Sequence, residues 1–265
     1  MLPASDYLLV GAREPAVKVE HLTVRYKTRQ DARIKHTLTR FRQRTRRNTV
    51  VDAVRGISFE VPTGSVYGVI GNNGAGKSTL FRVIAGILPP TGGRVTTYGR
   101  VTPLLSLGLG FNRELSGHEN ILLGGLAQGL EPAEIAAKYD DIIRFADLGD
   151  AIHYPMRTYS SGMGGRLGFA IAAHLDPEIV LIDEALAAGD AAFKQKCMAK
   201  IIELCEADCT VMIVSHGHQI IKALADFCLW LEHGQVRMEG EAGEVIEAYL
   251  ENEGVSDSLA AMEDV

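Results

Sequence analysis

The sequence predicts an α/β protein built on a parallel sheet, and three observations carry that expectation. Residues 66–70 (VYGVI) are a short apolar run that passes through a Gly-rich stretch into helical spacing at residues 78–85. Residues 179–182 (IVLI) and 210–214 (TVMIV) are unbroken apolar runs of strand length, as expected of strands covered on both faces. A helical stretch at residues 191–206 separates them, the order of a parallel crossover.

The remaining elements follow in chain order. Residues 16–26 (AVKVEHLTVRY) alternate apolar and polar side chains and read as an edge or antiparallel strand, with a second strand at residues 54–61. Between them, residues 27–50 hold nine Lys/Arg and one acid, Asp31. Residues 62–64 (PTG) and 88–93 (LPPTGG) are turns, and residues 94–107 supply a further strand or hairpin. Ser116 and Glu119 have capping-box spacing, so a helix starts there. Pro132 suits the first turn of the next helix, with Ile135, Tyr139, Ile142 and Ile143 on one face, so residues 113–175 are mostly helical. A helix near residues 219–225 precedes a hairpin, residues 227–231 and 235–238, turning at His233-Gly234. Residues 239–265 carry nine acids and no Lys or Arg; residues 244–250 read as helix and the last ten as disordered.

Composition bounds the function. At 265 residues, 46% hydrophobic and 23% charged, the chain can bury a core, which excludes disorder as its main state. A net charge of -6, from 27 Lys+Arg and 33 Asp+Glu, argues against a protein held mainly by nucleic-acid phosphates. The longest uncharged stretch, residues 61–76, contains Pro, Asn and five Gly, whereas a spanning helix takes about 20 mostly apolar residues. The first residues lack a basic segment followed by an apolar one, so no secretory signal and a cytosolic location are expected. Cys197, Cys205, Cys209 and Cys228 lack paired spacing and read as core or helix-surface thiols, and no histidines have metal-ligand spacing.

Chemistry concentrates at strand ends. Gly71-Asn72-Asn73-Gly74-Ala75-Gly76-Lys77-Ser78-Thr79 matches G-x-x-x-x-G-K-[ST] between an apolar strand and a helix. Such a loop wraps phosphates with backbone N–H groups, Lys77 reaches the β- and γ-phosphates, and the Ser78 hydroxyl ligates Mg²⁺. An ordinary Gly-rich turn needs neither Lys77 nor the apolar strand. Asp183-Glu184 closes the IVLI strand, where α/β proteins place ligand chemistry. There Asp183 would hold Mg²⁺ through water and Glu184 would polarise the attacking water as general base; alone, two acids would equally suit a solvated loop.

In this order the motifs resemble the nucleotide-binding subunit of an ABC transporter, over about residues 16–250. Tyr159-Ser160-Ser161-Gly162-Met163 occupies the place of the family signature L-S-G-G-Q and matches it at Ser160 and Gly162. Ser215-His216 matches the switch histidine that contacts the γ-phosphate, and Asp190 falls where the D-loop aspartate sits. Tyr26 is placed like the aromatic that stacks on adenine; by itself it would be a strand-end tyrosine. The Q-loop glutamine is missing, and Asn112 is the candidate replacement as a metal ligand or else an ordinary loop residue.

The resemblance implies a P-loop (RecA-like) ABC ATPase core with an antiparallel β subdomain and an α-helical subdomain, all one domain over residues 1–265. Its core would span about residues 16–103 and 176–240, and its helical part about 104–175, with the basic insertion at 27–50, the acidic tail at 239–265 and no added carbohydrate-binding domain. It implies ATP and Mg²⁺ as ligands. Catalytic roles would fall to Lys77, Glu184 and His216, and metal ligation to Ser78, Asp183 and Asn112. ATP contacts would come from Tyr26, Gly71 through Thr79, Ser160, Ser161, Gly162, Met163 and Asp190. A helix starting near Ser161-Gly162 can donate N–H groups to a γ-phosphate on another subunit, so a homodimer is implied.

Several stretches are similar to the subgroup that exports polysaccharides, O-antigen or teichoic acids. They are the altered signature, residues 183–190 (DEALAAGD), 104–111 (LLSLGLGF), 115–120 (LSGHEN) and 243–250 (GEVIEAYL). This implies lipid-linked glycan as cargo, an integral membrane permease in a two-plus-two assembly, and a peripheral place on the cytoplasmic face of the inner or plasma membrane. Residues 27–50, with Ile34, Leu38 and Phe41 at helical spacing, would attract anionic lipid headgroups or form a solvated hairpin. Residues 104–111 would meet the permease or pack in the core. Export of another lipid, a soluble ATPase acting on nucleic acid or the ribosome, and a non-hydrolysing scaffold are the competing readings. No nucleic-acid partner is expected.

Overall fold

A computed structural model describes residues 14–29, 48–104, 111–183, 190–215 and 217–254. Its strands are β1 Pro15–Arg29, β2 Asn48–Pro62, β3 Val66–Ile70, β4 Gly92–Thr97, β5 Val101–Pro103, β6 Ile179–Ile182, β7 Thr210–Val214, β8 Phe227–Glu232 and β9 Gln235–Glu241. Its helices are α1 Lys77–Ile84, α2 Gly117–Ala127, α3 Pro132–Ala146, α4 Ser161–His174, α5 Ala191–Glu206, α6 His218–Leu224 and α7 Ala242–Asn252. One sheet is three-stranded in the order β2-β1-β4; the other is six-stranded in the order β5-β6-β7-β3-β8-β9. In the larger sheet only β9 runs antiparallel to its neighbour.

Alternation along the central strands decides what covers each face. Leu181, Met212, Val214, Val69 and Leu229 face one core with Leu80, Phe81, Val83 and Ile84 of α1, which in turn meet Val17, Val19, Val54 and Phe59 of the antiparallel sheet. Helix α1 is thus held between the two sheets. Val180, Ile182, Val211 and Ile213 face the opposite way, onto Phe193, Cys197, Ile201 and Leu204 of α5. With both faces buried, period-2 polarity vanishes, and the strands read as continuous apolar runs.

Helix α4 belongs to two cores. Its Phe169 and Ala173 pack with α5 and the sheet, while Leu167, Ala170 and Ile171 pack with Ile121 of α2 and Ile135 and Ile142 of α3. The Ser116–Glu119 capping box forms as the spacing predicts, with both reciprocal hydrogen bonds present. The four cysteines are free, and burial pushes Cys197 and Cys228 up to about 12 and Cys205 and Cys209 up to about 11, far from reactive thiolates.

Of the two readings of residues 16–26, edge or antiparallel strand, the antiparallel one holds. β1 is the middle strand of its sheet, paired antiparallel with both β2 and β4, so it is no edge. The reading of residues 94–107 as one strand or a hairpin is corrected over its described residues, 94–104: β4 joins the antiparallel sheet and β5 the parallel one. Pro103 is accommodated because β5 is an edge strand. The β1–β2 ladder continues to Arg29↔Asn48, so the basic segment joins two paired strands; its residues 30–47 lie outside the described residues, as do 105–110 and 255–265.

Candidate functional site

Parallel strands end together. Val69 pairs with Val214 and Ile182 with Ile213, so the chain leaves β3, β7 and β6 at one edge of the sheet. That edge receives residues 71–76 from β3, Asp183 from β6 and Ser215 from β7, the crevice position at which open α/β sheets bind ligands.

The loop before α1 is shaped by its glycines. Gly71 has φ 139, and a Cβ there would lie 2.0 Å from the Leu231 carbonyl oxygen; Gly76 has φ 109, and a Cβ would lie 2.4 Å from that of Ala53. The Gly234 N–H donates to the Ala75 carbonyl at 2.9 Å, so the β8–β9 turn closes over the loop. No side chain caps α1 at Gly76 and its first turn has no acid, which leaves N–H groups and positive dipole for an anion. Lys77 is buried, its Nζ donating to the Gly71 carbonyl and to the Asn72 carbonyl at 3.2 Å. Asn72, Asn73, Gly74 and Ser78 are exposed. Ser78, on the first turn of α1, and the half-buried Asp183 are oxygen ligands that suit a hard cation such as Mg²⁺ alongside phosphate oxygens. Among the described residues no group of three or more His, Cys, Asp or Glu would hold a metal without them.

Tyr26 lies beside this loop. Its ring is half-buried against the α1 core, and its hydroxyl lies 3.4 Å from Thr79 Oγ1. Ser160 caps α4 by accepting the Met163 N–H at 3.2 Å, and Ser160 and Ser161 are exposed while Gly162 and Met163 are half-buried. Asp190 caps α5, accepting the Phe193 N–H at 2.9 Å. Arg166 of α4 also donates to Asp190 at 2.6 Å, its guanidinium 5.1 Å from the Phe193 ring centre. The Phe193 N–H, with Arg166 behind it, holds the Asp190 carboxyl below the usual range.

Asn112 stands in the helical layer. Its Oδ1 accepts the Glu114 N–H at 3.1 Å, and its own N–H donates to the buried Asn120 at 2.9 Å, an Asx turn that matches the ordinary-loop reading. No described contact brings it to Lys77. Glu184 and His216 lie outside the described residues.

Three residues escaped the sequence reading. Arg166 ties the signature helix to Asp190, and Tyr249 and Glu253 of the C-terminal helix hydrogen-bond Asn72. The four-residue spacing of Tyr249 and Glu253 was visible; the distant partner was not.

The family described as ABC transporter matches residues 54–187. The O-antigen export system ATP-binding protein RfbB of Myxococcus xanthus is 41% identical over 222 residues, 84% of this chain and 51% of that protein. The Klebsiella pneumoniae protein of the same name is 43% identical over 197 residues, 74% of this chain and 80% of that protein. The teichoic acids export ATP-binding protein TagH of Lactiplantibacillus plantarum is 45% identical over 197 residues, 74% of this chain and 54% of that protein. This chain thus spans about half the length of two of these three relatives. A solved ATP-binding subunit of an ABC transporter shares the fold with a TM-score of 0.70 at 19% identity, covering 93% of this chain and 98% of that one. By its family match, its relatives and its fold, this chain belongs to the ABC transporter family and carries the ATP-binding cassette of that family.

Proposed function

We propose that this chain is the ATP-hydrolysing motor subunit of an exporter that moves a lipid-linked cell-envelope glycan, of the O-antigen or teichoic acid kind, across the inner membrane. The observation that carries the reading is the phosphate loop, Asp183 and Ser215 converging on one sheet edge in a chain 41% identical to a relative named for O-antigen export. Lys77 neutralises the β- and γ-phosphates, and the α1 N–H groups cradle them. Ser78 and Asp183 would hold Mg²⁺, which would supply charge neutralisation for the phosphates. Glu184 takes the proton of the attacking water and His216 contacts the γ-phosphate. Tyr26 borders the adenine, and the start of α4 at Ser160–Met163 serves the γ-phosphate of a second copy, which makes the working unit a homodimer. Asn112, whose Oδ1 accepts the Glu114 N–H and keeps a second lone pair, would stand in for the Q-loop glutamine as a metal ligand.

The permease is the second partner. Leu122, Leu123 and Leu126 of α2 are 43%, 36% and 46% exposed, an apolar surface suited to a membrane subunit. No described helix is long and apolar enough to cross the membrane, so the spanning path belongs to that subunit. The nine Lys/Arg of residues 27–50 would attract anionic headgroups, and the apolar, Gly-rich stretch 104–111 is assigned to the permease by resemblance to the exporter subgroup. The reading is tested by measuring ATP turnover of wild type and Glu184→Gln, alone and with the permease in lipid, with and without lipid-linked glycan. Turnover lost in Glu184→Gln and changed by permease or glycan is expected. Turnover indifferent to both but raised by RNA or DNA would replace the exporter with a nucleic-acid ATPase.

A further inference from the structure

The C-terminal helix reaches the phosphate loop. Tyr249 Oη donates to Asn72 Oδ1 at 2.8 Å, and Asn72 Nδ2 donates to Glu253 Oε1 at 3.0 Å. Both ends of one carboxamide are therefore taken by residues four apart in the chain, Tyr249 in α7 and Glu253 at its C-cap. The backbone carbonyl of the same asparagine accepts Lys77 Nζ, so Asn72 connects α7 to the lysine of the loop.

Helix α7 is a firm anchor for these bonds. Its Ala242, Val245, Ile246 and Tyr249 are buried together with Ile70 at the end of β3, Ile221 of α6, and Cys228 and Trp230 of β8. The Tyr249 ring meets Trp230 edge-on with centroids 5.3 Å apart and lies 5.0 Å from the His218 ring. Lys222 of α6 pairs with Glu247 of α7 at 3.0 Å. One helix thus holds the loop leaving β3 and the helix that follows β7, two of the segments at the sheet edge. Nothing in the motifs assigns α7 a part in the reaction.

We propose that Tyr249, backed by Glu253, is a positioning residue for nucleotide binding: it presets the Asn72 backbone, so that the phosphate loop is ordered before ATP arrives. A preorganised loop spends less of the binding free energy on ordering, and loosening it weakens nucleotide binding while leaving the chemical step alone. The inference rests on the ATP site proposed above and is independent of the cargo.

Tyr249→Phe keeps the ring against Trp230 and His218 and removes one hydroxyl. In the full chain it should raise KM for ATP and Kd for MgADP about fivefold, the size expected of one hydrogen bond, with kcat within about twofold. Asn72→Ala removes both side-chain bonds and should weaken binding at least as much, and the double variant should be no worse than Asn72→Ala alone, because that change already removes the Tyr249 bond. Glu253→Gln retains an acceptor and should keep wild-type KM, whereas Glu253→Ala should raise it. Wild-type affinity in Tyr249→Phe, or effects of Tyr249→Phe and Asn72→Ala that multiply, would overturn the assignment. A wild-type protein that binds no nucleotide would instead remove the proposed function, and this inference with it.

Discussion

The loop before α1 and the start of α4 both present backbone N–H groups at a helix N-terminus, but they are held in opposite ways. The loop is enclosed: the carbonyls of Leu231 and Ala53 press against Gly71 and Gly76, Gly234 closes on Ala75, and α7 grips Asn72. The first turn of α4 opens on the exposed Ser161, with Gly162 and Met163 half-buried, and is capped by its own Ser160, although later residues of that helix are buried in two cores. One array is braced by distant parts of the chain, while the other starts a helix held by two cores, a placement in keeping with the proposed sharing of that array with a second copy.

The largest effect should come from the enclosed array. Lys77→Ala removes the buried cation proposed to neutralise the phosphates and should lower ATP turnover at least about 100-fold; a smaller loss in a steady-state assay would mean that the loop is not the catalytic half-site. Next comes the open array. A Cβ at Gly162 would find no neighbour nearer than Ser160 Oγ at 3.9 Å, so Gly162→Glu should fold with stability within about 0.5 kcal/mol of wild type. It should nevertheless abolish the ATP-dependent dimer of a Glu184→Gln background in light scattering, since a carboxylate would face the partner's γ-phosphate. A dimer that persists would show that α4 does not serve a second copy.

The root of the enclosed loop offers a sharper stability test. Tyr67 of β3 is fully buried and donates to Glu239 of β9 at 2.6 Å. Burial raises the Glu239 carboxyl above its ordinary value of 4.5, and the Tyr67 hydroxyl partly offsets that rise. A raised acid gives stability that is fully present below its ordinary value and lost as pH climbs through the folded one. Tyr67→Phe removes the offset, so it should cost about 1–3 kcal/mol with a larger deficit at pH 8 than at pH 5. Glu239→Gln should flatten the pH dependence of Tm, and equal slopes in all three proteins would refute this account. The smallest effect belongs to Arg166→Gln. The ion pair with Asp190 is partly exposed, so its loss should shift the urea midpoint only slightly, and that shift should shrink at high salt.

Legibility in the sequence followed the range of the forces involved. The α5 bounds, β3, β6, β7 and the Ser116–Glu119 capping box were readable because each is set by neighbours within a few residues. The loop was readable because its glycines and Lys77 act on one contiguous backbone stretch. The placement of β1 between two partners and the parting of β4 from β5 were not, since each depends on a segment elsewhere in the chain.

By itself the sequence determined the phosphate loop, the parallel α/β class and the capped start of α2, because backbone conformation, side-chain period and capping are local. Only the tertiary structure decided which carbonyls enforce Gly71 and Gly76, which helix Arg166 ties down, and that Tyr249 and Glu253 close on Asn72, 177 residues from Tyr249 in the chain. Those contacts exist because burying α7 against β8 and the end of β3 carries the tyrosine hydroxyl to the loop, and no local pattern encodes where a buried helix will bring its polar end.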